Sequence, residues 1–307
     1  MQSLDLSGRQ LTAFPAEILG QTDLEQLDLD ENLLTALPEA MGRLSRLRVL
    51  RLYDNRLTSV PDSIGELRKL EDLSLARNQL TAVPESLWQL RELRSLNLGM
   101  NRIGELSPRI GELQHLHTLD LGHNALTVIP ETIGDLTGLS RYLYLSNNSL
   151  GELPASLGRL AKLRYLNATR NGLTSVPETL GNLAGLEELR LYNNSLTSIP
   201  DSFGQLSRLR ELHLTDNRIA TLPESLGRLG QLRTLDLRNN RLAELPEALG
   251  ELANLAHLDL RANRFREVPE FVRRLLKLEK LDLRWNKLRC IPEWLAGLEE
   301  RGCTVLL

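Results

Sequence analysis

The chain predicts an α/β solenoid: a right-handed coil curved into a horseshoe, with parallel strands along the concave face and short helical or 3₁₀ turns along the convex face. Three observations predict it. Asn32, Asn55, Asn78, Asn101, Asn124, Asn148, Asn171, Asn194, Asn217, Asn240, Asn263 and Asn286 recur at steps of 23 residues, with one step of 24 between Asn124 and Asn148. Each closes a frame L-x-L-x-x-N, as in Leu27-Asp28-Leu29-Asp30-Glu31-Asn32. A second constant block follows, L/V/I-P-E/D-x-L/I-G-x-L, as in Leu222-Pro223-Glu224-Ser225-Leu226-Gly227-Arg228-Leu229. A fixed period of this length is the mark of a stacked repeat, in which no unit can bury its apolar face alone.

Within a unit the first element is a strand. The alternation of leucine with a variable residue gives one buried and one solvent-facing row. Leu27, Leu50, Leu73, Leu96, Leu119, Leu143, Leu166, Leu189, Leu212, Leu235, Leu258 and Leu281 are the inward residues. The asparagine comes next, in a turn. Its amide has donors and an acceptor enough for backbone groups of its own turn and of the next repeat, so the twelve should form a structural ladder. Proline then suits the first residue of a short helical turn, having a fixed φ and no amide to satisfy. The acid after it faces the positive end of that turn. Strands stack about 4.8 Å apart while the turns are bulkier, so the coil curves with its strands inside.

The frame departs from itself in four places. The first unit has Leu4 and Leu6 but Arg9 in place of asparagine; Ser107 replaces the proline of the fifth; Ala168 replaces a strand leucine in the eighth. The seventh carries one extra residue among Ser140, Arg141 and Tyr142, a bulge at the entry to its strand. About thirteen repeats then fill residues 1–307 as one domain, with a closing segment at 293–307. Phe271 and Trp294, where other units have small or polar residues, are placed to pack beneath a final strand at Thr304-Val305-Leu306.

These motifs resemble the 23-residue class of leucine-rich repeats found in Ras-binding scaffold proteins, plant intracellular Ras-group proteins, Roco GTPases and bacterial repeat proteins, effectors among them. The resemblance covers the whole chain. It implies a non-enzymatic module that binds a protein on its concave face in intracellular signalling, the partner being a small GTPase, a kinase or another signalling protein. The alternative it implies is the recognition or regulatory domain of a larger signalling enzyme, or a bacterial effector acting on host proteins.

Composition narrows the setting. The formal net charge is −3 with 25% charged residues, which gives no global attraction to nucleic acid or membrane. Cys290 and Cys303 are too few for the paired disulfide caps of extracellular repeat proteins, and the first repeat starts too near Met1 for a signal peptide. A cytoplasmic protein is the expectation, or one in a host cytosol if it is a secreted effector.

No cofactor, catalytic or metal site is expected. There is no phosphate-loop, kinase or hydrolase signature. His115 and His117 flank a leucine and His123 lies too far along the chain to join them, while the cysteines lack zinc-site spacing. The functional text is therefore the solvent-facing strand positions. All five tyrosines map there: Tyr53, Tyr142, Tyr144, Tyr165 and Tyr192, with His213 on the following strand. Tyrosine gives large contact area at low entropic cost, so these residues are candidates for an interface, with Tyr142, Tyr144, Tyr165 and Tyr192 expected to form one contiguous cluster at its core. Charge is graded as well. Asp5, Asp28, Asp30, Glu31, Asp54 and Asp72 mark the early units; Arg218, Arg238, Arg241, Arg261, Arg264, Arg284 and Lys287, with Trp285 beside them, mark the late ones. Asp236, Asp259 and Asp282 should pair with Arg238, Arg261 and Arg284, leaving Arg218, Arg241, Arg264 and Lys287 free to steer an acidic partner.

Overall fold

The computed structural model describes residues 2–307, which fall into two compact units, Met1–Leu150 and Gly151–Leu307. The first holds strands β1 (Ser3–Asp5), β2 (Gln26–Asp28), β3 (Val49–Arg51), β4 (Asp72–Ser74), β5 (Ser95–Asn97), β6 (Thr118–Asp120) and β7 (Tyr142–Tyr144). The second holds β8 (Tyr165–Asn167), β9 (Glu188–Arg190), β10 (Glu211–His213), β11 (Thr234–Asp236), β12 (His257–Asp259), β13 (Lys280–Asp282) and β14 (Thr304–Leu306). In each unit every strand pairs in parallel with its neighbours in the chain. The register is one repeat per step, as in Leu50↔Leu73 and Leu212↔Leu235. The leucines at these positions are fully buried. A parallel strand needs a crossover before it can pair again, and here the rest of the 23-residue unit supplies it.

That crossover is a five-residue 3₁₀ turn in nearly every repeat, so helix contributes little: among the described residues the one α-helix is α1 (Ala296–Glu300). The proline stands one place earlier than the sequence suggests. It caps the turn in an extended conformation, and the turn proper begins at the acid, as with Pro223 (φ −76°, ψ 146°) before Glu224–Arg228. Its useful group is its carbonyl, which accepts the first 3₁₀ bond, from Leu226 N at 3.2 Å. Repeat five shows why its proline could be lost. Ser107 takes the cap and its hydroxyl accepts the Arg109 amide at 3.3 Å, while Pro108 moves to the first turn position. Glycine in these turns permits close stacking: a Cβ on Gly204 would lie 2.5 Å from the Ser225 carbonyl oxygen of the next turn. Trp88 occupies the equivalent place in repeat four, wholly buried, with its ring N–H unpartnered.

The asparagine ladder is present in both units, and one part of its logic is corrected. Within each unit the side chain ties its own turn to the preceding repeat, not to the next. Asn240 donates to the carbonyls of Leu237 (3.0 Å) and Leu214 (2.9 Å) and accepts from Ile219 N (3.0 Å). Asn78 does the same with Leu75, Leu52 and Leu57. Asn32, Asn55, Asn78, Asn217, Asn240 and Asn263 are buried; the others are half-buried. The residue before each ladder asparagine is left-handed, from Arg170 at φ 50° to Trp285 at φ 60°. A 23-residue frame that shows any of eight residue types at that place does not reveal the requirement in its letters.

The extra residue of repeat seven sits at the entry to β7, where the Ser140 and Arg141 amides both donate to the His117 carbonyl (3.3 and 3.0 Å). At the far end Phe271 is buried. Trp294 is half-buried with the Arg273 guanidinium 5.8 Å from its ring, and β14 pairs with β13.

Candidate partner-binding face

Solvent-facing strand side chains of successive repeats stand in columns about 4.8 Å apart, so each contacts its equivalents one repeat away. In the first unit these contacts are largely acidic. Asp30 Oδ1 accepts the Tyr53 amide at 2.6 Å, and Arg77 bridges the Tyr53 hydroxyl and Asp54, the latter at 2.9 Å. Burial pushes Asp30 up to about 6, against the pull of the Tyr53 amide and with help from neighbouring Asp28. Burial likewise raises Asp72 and Asp120 above the ordinary carboxylate range. Tyr142 and Tyr144, on the same face of β7, bring their ring centroids to 5.0 Å at 55°. Along the strand entries runs an alternating ion-pair chain: Arg48 meets Glu71 (2.5 Å), which also meets Arg94 (3.7 Å). Sequence reasoning missed this chain, though Glu25, Arg48, Glu71 and Arg94 share one repeat position.

In the second unit the pattern changes. The Arg190 guanidinium lies 5.6 Å from the Tyr165 ring centre while pairing with Glu188, and Asn167 donates to the Tyr165 hydroxyl at 3.3 Å. Tyr192 is half-buried on the same face. His213 Nε2 lies 3.1 Å from Glu211. Farther on, Arg261 binds Asp259 at 2.5 Å and reaches Asp282 at 3.3 Å, and Arg284 binds Asp282 at 2.7 Å. Asp282 is only 1% exposed. Burial alone would raise its pKa, but the hydrogen bonds from Arg284 and the charges of Arg261 and Arg284 outweigh it and hold the group low.

The expected third pair does not form. Asp236 accepts only the backbone amide of Arg238 (3.2 Å), and the Arg238 guanidinium has no ion pair among the described residues. Arg261 leans toward Asp282, one repeat on, so the chain of pairs begins at Asp259. Arg218, Arg241, Arg264 and Lys287 are exposed and, among the described residues, carry no ion pair. Trp285 is 70% exposed, with Arg284 at 5.5 Å from its ring.

The comparisons with known proteins agree with this geometry. A family model described as leucine rich repeat matches residues 1–57, 45–103 and 91–141, and one described as leucine-rich repeat region matches 148–229 and 201–300. The chain is a leucine-rich repeat protein. A leucine-rich repeat protein of Leptospira interrogans is 29% identical over 99% of this chain and 95% of its own, with a TM-score of 0.70. An internalin of Listeria monocytogenes superposes with a TM-score of 0.87 over 100% of this chain and 86% of its own; at 24% identity it shows the fold alone. The plant peptide hormone receptor RGFR1, solved in complex with RGF2, is 33% identical with a TM-score of 0.85; all of this chain aligns with 55% of that one. No curated protein matches. Leucine-rich repeat folds are typically non-enzymatic scaffolds that commonly mediate protein–protein interaction. No helix among the described residues is long and apolar enough to cross a membrane.

Proposed function

We propose that this leucine-rich repeat protein is a non-enzymatic recognition module that holds a protein partner against its strand-bearing face, the face the sequence expects to be concave. The observation that carries the reading is the column Arg218, Arg241, Arg264 and Lys287. These four cations are exposed and unpaired, beside Arg261 and Arg284, which the molecule itself neutralises. A protein gains nothing in stability from four like charges in a row. An acidic partner surface gains attraction and a faster encounter from them. Tyr165 and Tyr192 in the same unit, and Tyr53, Tyr142 and Tyr144 in the first, supply amphipathic contact area. The peptide-bound state of the plant receptor supports a protein or peptide ligand. The 23-residue frame supports a small GTPase, kinase or other signalling protein as the partner, and the two free cysteines suit a cytoplasmic setting.

The test is comparative capture. Wild-type chain and an Arg241→Glu/Arg264→Glu chain are used as baits in a lysate of the encoding organism, at low and high salt, and each hit is then titrated in purified form. A partner held by wild type, released by the reversed column and associating more slowly as salt rises is the expected result. Charge effects should fade over a screening length of about 8 Å at physiological strength. Equal binding by both baits at every salt concentration would overturn the reading.

A further inference from the structure

Glu188 and Glu211 stand directly opposite one another on β9 and β10. Like charges in that relation destabilise a sheet, so their juxtaposition asks for a cation. Arg190 answers for Glu188, and it does so while lying on the Tyr165 ring. His213, two residues past Glu211 and on the same face, turns Nε2 between the two carboxylates, 3.1 Å from Glu211 and 4.0 Å from Glu188. One ligand atom from each of the three residues falls within 4.8 Å of the others. Glu188 and His213 are partly withdrawn from water, at 21% and 19% exposed, which strengthens any charge interaction made there.

We propose that Glu188, Glu211 and His213 form a binding site for a divalent transition metal of the Zn²⁺ class. Tetrahedral zinc with bonds of about 2.1 Å places its donors about 3.4 Å apart. The His213–Glu211 separation already meets that, and the Glu188 carboxylate needs to close by about 1 Å, within the reach of a side-chain rotation on a fixed strand. One imidazole nitrogen with two carboxylates selects zinc and its late first-row neighbours. Calcium and magnesium want six or more oxygens and would find only a partial shell. A carboxylate has two oxygens, so Glu188 can hold Arg190 with one while presenting the other to the metal. Three protein donors leave one coordination position open toward solvent. The chain's +23 arithmetic contains this cluster, since Glu188 and Glu211 share a repeat position. The expectation of no metal site rested on His115, His117, His123 and the two cysteines, none of which belongs to this cluster.

The experiment titrates the full chain, stripped with chelator, with ZnCl₂ by calorimetry and with CoCl₂ by visible absorption. One equivalent of zinc binds, cobalt gives the intense bands of a tetrahedral site, and zinc raises the unfolding temperature. His213→Ala abolishes all three signals. Glu188→Gln and Glu211→Gln each weaken binding at least about tenfold, since even outer-sphere partners of a metal are worth that much. His257→Ala, at the other His–Glu contact of this unit (3.7 Å to Glu279), leaves the binding unchanged. Should His213→Ala fail to fold, the two glutamine variants carry the decision. Absence of a one-equivalent event, or its survival in the Glu188→Gln/Glu211→Gln chain, overturns the proposal.

Discussion

Asp120 in the first unit and Asp282 in the second occupy the same place in the repeat, and their chemistry is opposite. Both are third residues of a strand, and both hold a backbone amide two residues on, Gly122 at 2.8 Å and Arg284 at 3.3 Å. Asp120 has no arginine, so burial wins and its carboxyl is pushed up. Asp282 shows less surface to water because Arg261 and Arg284 cover it, and those two guanidinium groups hold it down. The backbone frame fixes where a side chain stands. Whether that position stores strain or supplies stability is decided by the column beside it, where the first unit has Gly122 and the second has Arg284.

The comparison breaks most visibly by removing the carboxylates. Asp282→Ala strands Arg284 and removes the second partner of Arg261, which keeps Asp259, and should cost about 1.5–3 kcal/mol, the range for hydrogen bonds to charged groups. Asp120→Asn keeps the amide bond, sheds an ill-favoured charge and should be neutral or stabilising. Urea midpoints are the check: that of Asp282→Ala should fall below wild type, and that of Asp120→Asn should hold or rise. Equal losses would mean that the arginines contribute nothing beyond what the turn already gives.

The asparagine ladder is where the two units should agree. Asn78 and Asn240 are both buried, and each makes one acceptor and at least two donor contacts. Alanine at either leaves buried backbone groups unsatisfied and should cost about 1–3 kcal/mol, alike within error. A clear difference between the two denaturation midpoints would show that local packing outweighs the ladder itself.

How much of this was legible in the sequence follows from what each layer depends on. The strands, the buried leucines and the asparagine turns repeat because stacking demands identical neighbours, and so period 23 exposes them. The direction of the asparagine bonds was misjudged, since donor and acceptor inventory says what a side chain can bond and not which way it points. The left-handed residue before each asparagine was invisible because its backbone is enforced by flanking bonds and tolerates Glu31, Met100 or Trp285 alike. The exposed face was half legible. The tyrosines were found by position, and Arg261 and Arg284 by spacing, but the Arg190–Tyr165 contact and the approach of His213 to Glu188 lie across strands. They emerge only when each position is read beside its equivalent one repeat away.

Acid sharpens the contrast. Asp30 has a folded value of about 6 against an ordinary 3.8, so its charged form opposes folding above that range. The penalty fades as pH falls through 6 and is gone below the unfolded value. Asp282 runs the other way: its contribution is present above the ordinary carboxylate range and is lost as pH falls through its lowered folded value. Asp30→Asn retains an oxygen for the Tyr53 amide. It should therefore raise the urea midpoint at about pH 8 and make no difference at about pH 4. A constant offset across that range would mean that Asp30 carries no charge penalty.

The smallest effects belong to the left-handed position, and there the comparison is between neighbours. Ala262 (φ 52°) and Trp285 (φ 60°) share it one repeat apart, and neither residue type favours it. Ala262→Gly should gain about 0.5–1 kcal/mol, contrary to the usual cost of glycine, because the backbone there suits a residue without a Cβ. Trp285→Gly relieves the same strain but loses the ring under Arg284, a contact worth about 0.5–1 kcal/mol at an exposed site, so the two should nearly cancel. Strain kept at an exposed aromatic is what a binding surface would show. If Trp285 touches the partner, its glycine variant should fold as well as wild type yet dissociate from that partner faster, while Ala262→Gly changes stability alone. A Trp285→Gly chain with an unchanged dissociation rate would remove the ring from the interface and leave the tyrosines and the basic column to carry it.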